Sequence, residues 1–137
     1  MSAADSPLGQ WVEQCGGHLC LVFADIVSST FLLHEIGTAR YADQRRFTFD
    51  RAEWLARARK GRLIDTSGDG LFYAFQDARG GFVFAGEFWA SSTSAFGLPV
   101  RIGVHLGAVT AEGNHLLGRS VHYAARVMQH GLGSELW

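Results

Sequence analysis

Leu63-Ile64-Asp65-Thr66-Ser67-Gly68-Asp69-Gly70-Leu71-Phe72-Tyr73-Ala74-Phe75 is the stretch on which the fold turns. Residues 63–66 and 71–75 are apolar runs rich in β-branched and aromatic side chains, and both read as strands. Ser67-Gly68-Asp69-Gly70 between them reads as a tight hairpin turn, because glycine supplies backbone conformations closed to other residues. An antiparallel pair therefore sits at the middle of the chain, with an acidic residue, Asp69, at its tip.

Upstream, Leu19-Cys20-Leu21-Val22-Phe23-Ala24 is a continuous apolar run ending at Asp25. A short run of this kind fits a strand buried on both faces. Ser28, Ser29 and Thr30 then offer helix N-caps. Leu32, Leu33 and Ile36 fall at helical spacing until Gly37 stops the helix. Residues 39–59 form the longest helical candidate, with Phe49, Ala52, Leu55 and Ala56 on one face and arginines on the other, and Gly61 ends it. Residues 1–17, with Pro7, Gly9, Gly16 and Gly17, read as a lead-in segment before a domain covering 18–137.

Downstream, Phe82, Ala85, Gly86 and Trp89 mark a helical face within 78–90. Pro99 opens a strand over 100–106, Gly107 is expected to bend the chain toward 108–110, and Gly113-Asn114 reads as a turn. A last helix is expected over 118–129, with Val121, Ala124, Ala125 and Met128 as its buried stripe. The order of strand, helices, hairpin, helix, strand pair and helix reads as an α+β domain, with helices packed on a largely antiparallel sheet.

Composition bounds the function. The chain has 137 residues, is 47% hydrophobic and carries a net charge of -1, so one domain with a real core fits and a bulk electrostatic affinity for nucleic acid does not. Lys60 is the sole lysine, so nearly all positive charge is arginine, which suits bidentate contacts to phosphate or carboxylate. Cys15 and Cys20 lack disulfide-scaffold or metal-site spacing and read as ordinary small apolar residues. No apolar run approaches the roughly 20 residues that span a bilayer, and the start has no secretory signal pattern, so a cytoplasmic protein is expected.

Asp25 at a strand end and Asp69 in a hairpin turn are the acidic positions of most interest. If their strands are neighbours, both carboxylates lie at one edge of the sheet and form a hard-oxygen site for Mg²⁺ or Mn²⁺. Two ions about 3.5–4 Å apart can clamp the attacking and leaving oxygens of a phosphoryl displacement. The free N–H groups of a helix starting at residues 28–30 would favour an anionic triphosphate. Asp after a strand is also a common helix cap, and Gly-Asp-Gly a common turn, so spacing alone leaves both readings open.

Four motifs resemble those of class III adenylate/guanylate (nucleotidyl) cyclases, in the same order, across about residues 18–135: Phe23-Ala24-Asp25-Ile26-Val27-Ser28-Ser29-Thr30, Thr66 through Phe75, Val100 through Val109, and Gly118 through Val127. The resemblance implies a ferredoxin-like, palm-type sheet with helices packed on it. It implies conversion of a nucleoside triphosphate to a 3′,5′-cyclic nucleotide and pyrophosphate, for cyclic-nucleotide signalling. Two Mg²⁺ or Mn²⁺ ions would be held by Asp25, the Ile26 carbonyl and Asp69. Active sites would form at a head-to-tail homodimer interface, with Arg126 stabilising charge on the transferring phosphate. Ser28, Ser29 and Thr30 would contact the triphosphate.

Three positions depart from the family pattern. The base-reading lysine is Asp65, its partner is His115, and the ribose-orienting asparagine is His122. A lysine donates to adenine N1 whereas a carboxylate only accepts, so ordinary adenine selectivity is not expected. His122 keeps a ring donor and titrates near neutral pH in the ordinary case. Family domains also continue past the last helix, so C-terminal strands are expected to be missing here. A catalytically degenerate cyclase-homology module, binding nucleotide or dimerising to regulate another activity, is the alternative that these departures support. The Gly-Gly-Asp/Glu-Glu-Phe hairpin of diguanylate cyclases is absent.

Overall fold

The computed structural model describes residues 7–27, 29–92, 97–113 and 115–118. The elements run α1 (Pro7–Glu13), β1 (His18–Ile26), α2 (Ser29–Ile36), α3 (Thr38–Ala58), β2 (Arg62–Ser67), β3 (Gly70–Phe75), α4 (Ala78–Ser92), β4 (Val100–Ala108), β5 (Thr110–Glu112) and β6 (His115–Leu117). The first four strands make one sheet in the order β2-β3-β1-β4, with every neighbouring pair antiparallel. β3 lies between β1 and β2, and β1 lies between β3 and β4, so the two strand–helix–strand units interleave in the ferredoxin-like manner. β5 and β6 form a separate hairpin, in which Gly113 takes φ 61° at the connection.

β1 is central and buried on both sides, as its unbroken apolar run predicts. Cys20, Val22, Ala24 and Ile26 face α3 and α4, where Ala52, Leu55, Ala56, Phe84, Ala85 and Phe88 close the main core. Tyr73, Phe75 and Phe88 pack around Phe84 with ring centroids 5.1, 5.1 and 5.7 Å away. Each such fully buried ring or aliphatic chain contributes about 1.5–3 kcal/mol. Buried Thr48 ties α3 to the lead-in of β4: its hydroxyl donates to the Gln44 carbonyl at 2.8 Å and accepts from the Leu98 N–H at 2.9 Å.

The opposite face of the sheet has its own small core. Leu19, Leu21, Phe72 and Ala74 meet Leu8 and Val12 of α1 and Val109, Ala111 and Leu116 around the β5–β6 hairpin. The segment expected as a lead-in thus contains a helix built into the domain. Pro7 suits a first helical position because its missing N–H costs nothing there. The Gln76 amide donates to the Trp11 carbonyl at 2.8 Å and to Gln14 Oε1 at 2.9 Å, tying α1 to the end of β3.

Two expectations are corrected in detail. The buried face of α4 is Gly80, Gly81, Phe84, Ala85, Phe88 and Ser92, whereas Phe82 is exposed. The helix turns Gly81 to the sheet, where a Cβ would collide with Cys20. β4 also runs through Gly107 without a bend, pairing Gly107 with Leu19 and Ala108 with His18. Gly61 does follow α3, but the left-handed residue there is Lys60, at φ 59°, and Gly61 is required instead by the Phe75 ring packed on its Cα. Beyond Gly118, the helix expected over 118–129 lies outside the described residues.

Candidate functional site

The end of the sheet where β1 finishes is built from three adjacent strands. Across it, Ser67, Gly70, Asp25 and Arg101 form one row of Cα partners, and Asp65, Phe72, Phe23 and Gly103 form the next. Alternation along a strand puts both rows on one face, two residues apart. The pairing of β2 with β3 runs unbroken from Ser67 at the turn to Asp65, which sets Asp65 opposite Phe72, and the register shifts only beyond it, between Asp65 and Leu63. Phe23 and Phe72 stack with centroids 4.1 Å apart and planes inclined by 14°, giving the face an aromatic floor.

Asp69 occupies the second place of the two-residue loop between β2 and β3. Gly68 before it takes φ 57°, as a hairpin turn with glycine first requires. Because Asp25 is the Cα partner of Gly70, Asp69 stands one residue beyond that pair, in the turn of the neighbouring hairpin. The two acidic residues singled out by sequence are therefore together at one end of the sheet.

Each carboxylate meets an arginine. Arg101 donates through Nη2 to Asp25 Oδ2 at 2.9 Å. Arg45 of α3 donates through Nε to Asp69 Oδ1 at 2.7 Å and through Nη2 to the Gly68 carbonyl at 2.8 Å. The Tyr41 hydroxyl, one helical turn earlier, donates to Asp69 Oδ2 at 3.0 Å. The carboxylates remain 27% and 29% exposed, so solvent and ions can reach both. Sequence reasoning missed Arg45 and Tyr41, which lie on a helix 24 and 28 residues away from Asp69 along the chain.

The remaining predicted residues fall as follows. The Ile26 side chain is buried in the main core, so only its backbone can serve a ligand. Ser29 and Thr30 open α2 three and four residues after Ile26, Thr30 being exposed, and the first-turn N–H groups there have no intrahelical partner. Asp65 is exposed, and its Oδ1 accepts the Thr66 N–H at 2.8 Å. His115 is exposed on β6, opposite Glu112, in the hairpin that lies against β2. Ser28, His122 and Arg126 lie outside the described residues.

The donor set fits a hard divalent cation. Two part-exposed carboxylates and a backbone carbonyl are oxygen ligands of the kind Mg²⁺ and Mn²⁺ take. Among the described residues no cluster of three or more His, Cys, Asp or Glu side chains exists. An ion at Asp25 and Asp69 would complete its shell with water and substrate phosphate, as Mg²⁺ commonly does. No helix of the described residues is long and apolar enough to cross a membrane.

The fold has close counterparts among solved structures. A Trypanosoma brucei adenylate cyclase in its monomeric state superposes with TM-score 0.80 at 18% identity, covering 89% of this chain and 72% of that one. The monomeric guanylyl cyclase domain of the RhoGC fusion protein from Blastocladiella emersonii gives 0.75 at 19% identity, covering 88% and 79%. The guanylate cyclase domain of RhGC from Catenaria anguillulae, in complex with GTP, gives 0.75 at 18% identity, covering 88% and 76%. No protein-family model and no curated protein matches the chain. The fold is that of class III adenylyl and guanylyl cyclase catalytic domains.

Proposed function

We propose that this chain is a nucleotidyl cyclase that converts a nucleoside triphosphate to its 3′,5′-cyclic monophosphate and pyrophosphate, working as a homodimer. The observation that carries the reading is the meeting of Asp25 and Asp69 at one end of a cyclase-type sheet, beside the start of α2. In the reaction the ribose 3′-oxygen bonds to the α-phosphorus, the bond from that phosphorus to the bridging oxygen breaks, and the hydroxyl proton is lost to solvent. Asp25, Asp69 and the Ile26 carbonyl would hold two Mg²⁺ or Mn²⁺ ions, which supply Lewis acidity to the 3′-hydroxyl and the triphosphate. The N–H groups at Ser28, Ser29 and Thr30 receive phosphate charge at a helix start. Arg126 spreads charge on the transferring phosphate, and His122 positions the ribose, both from the partner copy.

Asp65 and His115 read the base. A carboxylate offers about four lone-pair sites and no donor, and Thr66 uses one of them. Asp65 therefore pairs with a base edge that donates, as guanine does through N1–H and N2–H, and disfavours adenine N1. A regulatory, catalytically degenerate module is the second reading, favoured by the three departures at Asp65, His115 and His122.

Turnover with Mn²⁺ or Mg²⁺ against ATP, GTP, CTP and UTP, read by mass spectrometry, decides between them. A cyclic product is expected, and Asp69→Asn should lower its rate by about 10²–10³-fold, the loss of several kcal/mol of charge stabilisation. Metal-dependent nucleotide binding by folded dimer with no product from any of the four would establish the regulatory reading instead.

A further inference from the structure

Both oxygens of Asp69 face donors from α3: Oδ1 takes Arg45 Nε at 2.7 Å and Oδ2 takes the Tyr41 hydroxyl at 3.0 Å. Arg45 also spans the turn to the Gly68 carbonyl at 2.8 Å. A bidentate grip on a loop carbonyl and its neighbouring carboxylate holds the tip of the hairpin against the helix. The same Oδ1 is an oxygen that a divalent ion bound at Asp69 would use. A guanidinium at hydrogen-bond distance and an ion at ligand distance would stand as like charges on one small group, a strongly repulsive arrangement at a half-buried site.

We infer that Arg45 is a displaceable cation on Asp69, which neutralises the carboxylate in the ion-free protein and sets how tightly the site takes its metal. This rests on the reading of Asp69 as a metal ligand. Three features make Arg45 the residue that moves. Its side chain is 38% exposed, against 24% for Arg101 on Asp25, so it has solvent to move into. It is on a helix flank, whereas Arg101 is fixed in the row of strand partners beside Asp25. Its guanidinium already lies over the Phe49 ring, 4.3 Å from the centroid, a contact one helical turn away that survives loss of the carboxylate. Tyr41, 8% exposed and anchored in the main core, stays and keeps the carboxylate oriented. Arg45 is thus a positioning residue, acting on the metal through Asp69.

The test is Mn²⁺ binding to the full chain without nucleotide, followed by the loss of the free-ion electron paramagnetic resonance signal. Arg45→Gln should bind Mn²⁺ about tenfold more tightly than the wild type, since it removes the competing charge at a part-exposed site, one decade being about 1.4 kcal/mol. It should also lower the melting temperature of the ion-free protein while enlarging the rise that saturating Mn²⁺ produces. A residue that only braces the hairpin would lower stability and weaken Mn²⁺ binding together. Arg45→Lys, which keeps the charge, should bind like the wild type and serves if the glutamine variant fails to fold. Arg57→Gln, on the same helix and paired with Glu53 in an exposed i,i+4 bridge, should change neither quantity. Equal or weaker Mn²⁺ binding by Arg45→Gln, with binding by the wild type intact, overturns the role of Arg45 and leaves the metal site standing. No Mn²⁺ binding by any of these variants, at concentrations where Asp69→Asn is equally silent, overturns the metal site itself and the inference with it.

Discussion

Cys20 and Tyr73 sit in the main core on neighbouring strands, and both are acids whose neutral form the fold prefers. Burial pushes the Cys20 thiol up to about 11 from an ordinary 9.0, and the charge of Asp77 adds to the rise. Burial also raises the Tyr73 phenol, with its hydrogen bond to Glu53 Oε2 at 3.0 Å next in weight. A group whose folded pKa lies above its unfolded value stabilises the protein below the unfolded value and loses that contribution as pH rises through the folded one. Stability should therefore decline from about pH 9 upward, with Cys20 contributing about 3 kcal/mol across its two decades. Urea midpoints at pH 8, 9, 10 and 11 check this, and Cys20→Ala should flatten the curve between 9 and 11. An unchanged decline in that variant would remove Cys20 as the cause. At this scale the sequence made Asp25 and Asp69 legible, because a strand end and a glycine-flanked turn announce themselves locally. Arg45 and Tyr41 were not legible, since only the docking of α3 on the hairpin brings them to Asp69.

α4 shows where reading elements from periodicity stops. Its span was visible in the apolar spacing, but Phe82, Phe84, Phe88 and Trp89 ring the helix, so a period of 3.6 did not choose the buried side. Close approach to β1 chose it. Gly81 faces Cys20 with no room for a Cβ, while Gly86 on the same helix has no atom within 4 Å of where its Cβ would stand. The two glycines should respond with opposite signs. Gly81→Ala should destabilise the protein by about 1–3 kcal/mol, as overpacking does. Gly86→Ala should stabilise it by about 0.5–1 kcal/mol, since it removes backbone freedom from the unfolded chain without a clash. Chemical denaturation of both variants measures the pair. Equal effects would mean that helix propensity, and not the helix–sheet gap, governs the element. The bulge before Asp65 was equally hidden, because a one-residue slip leaves no mark in composition yet moves Leu63 and Arg62 to the other face.

On the scale of the molecule, strand order is what converts separate motifs into a site. The sequence showed which segments were strands, but the placement of β1 between β3 and β4 follows from how the helices cross over the sheet. That order puts Asp25 beside the hairpin that carries Asp69 and beside Arg101. The second face is closed by α1, so a segment read as a lead-in is part of what holds β1 and β3 in place. The proposed reaction then asks for more than one copy, since it would take its metal residues from one chain and Arg126 from the partner. This has an arithmetic consequence. Asp69→Asn alone and Arg126→Ala alone should each be inactive, because every site in either homodimer carries the defect. Unfolding and reassembling the two variants in equal amounts gives heterodimers as half of all dimers, and each heterodimer has one site with both defects and one with neither. Activity should return to about a quarter of the wild-type value at equal total protein, and should vanish again when one variant is diluted away. Recovery of nothing, from mixtures in which heterodimers are demonstrated by mass spectrometry, would place Arg126 in the same copy as Asp69, and an active Arg126→Ala homodimer would place it outside the reaction.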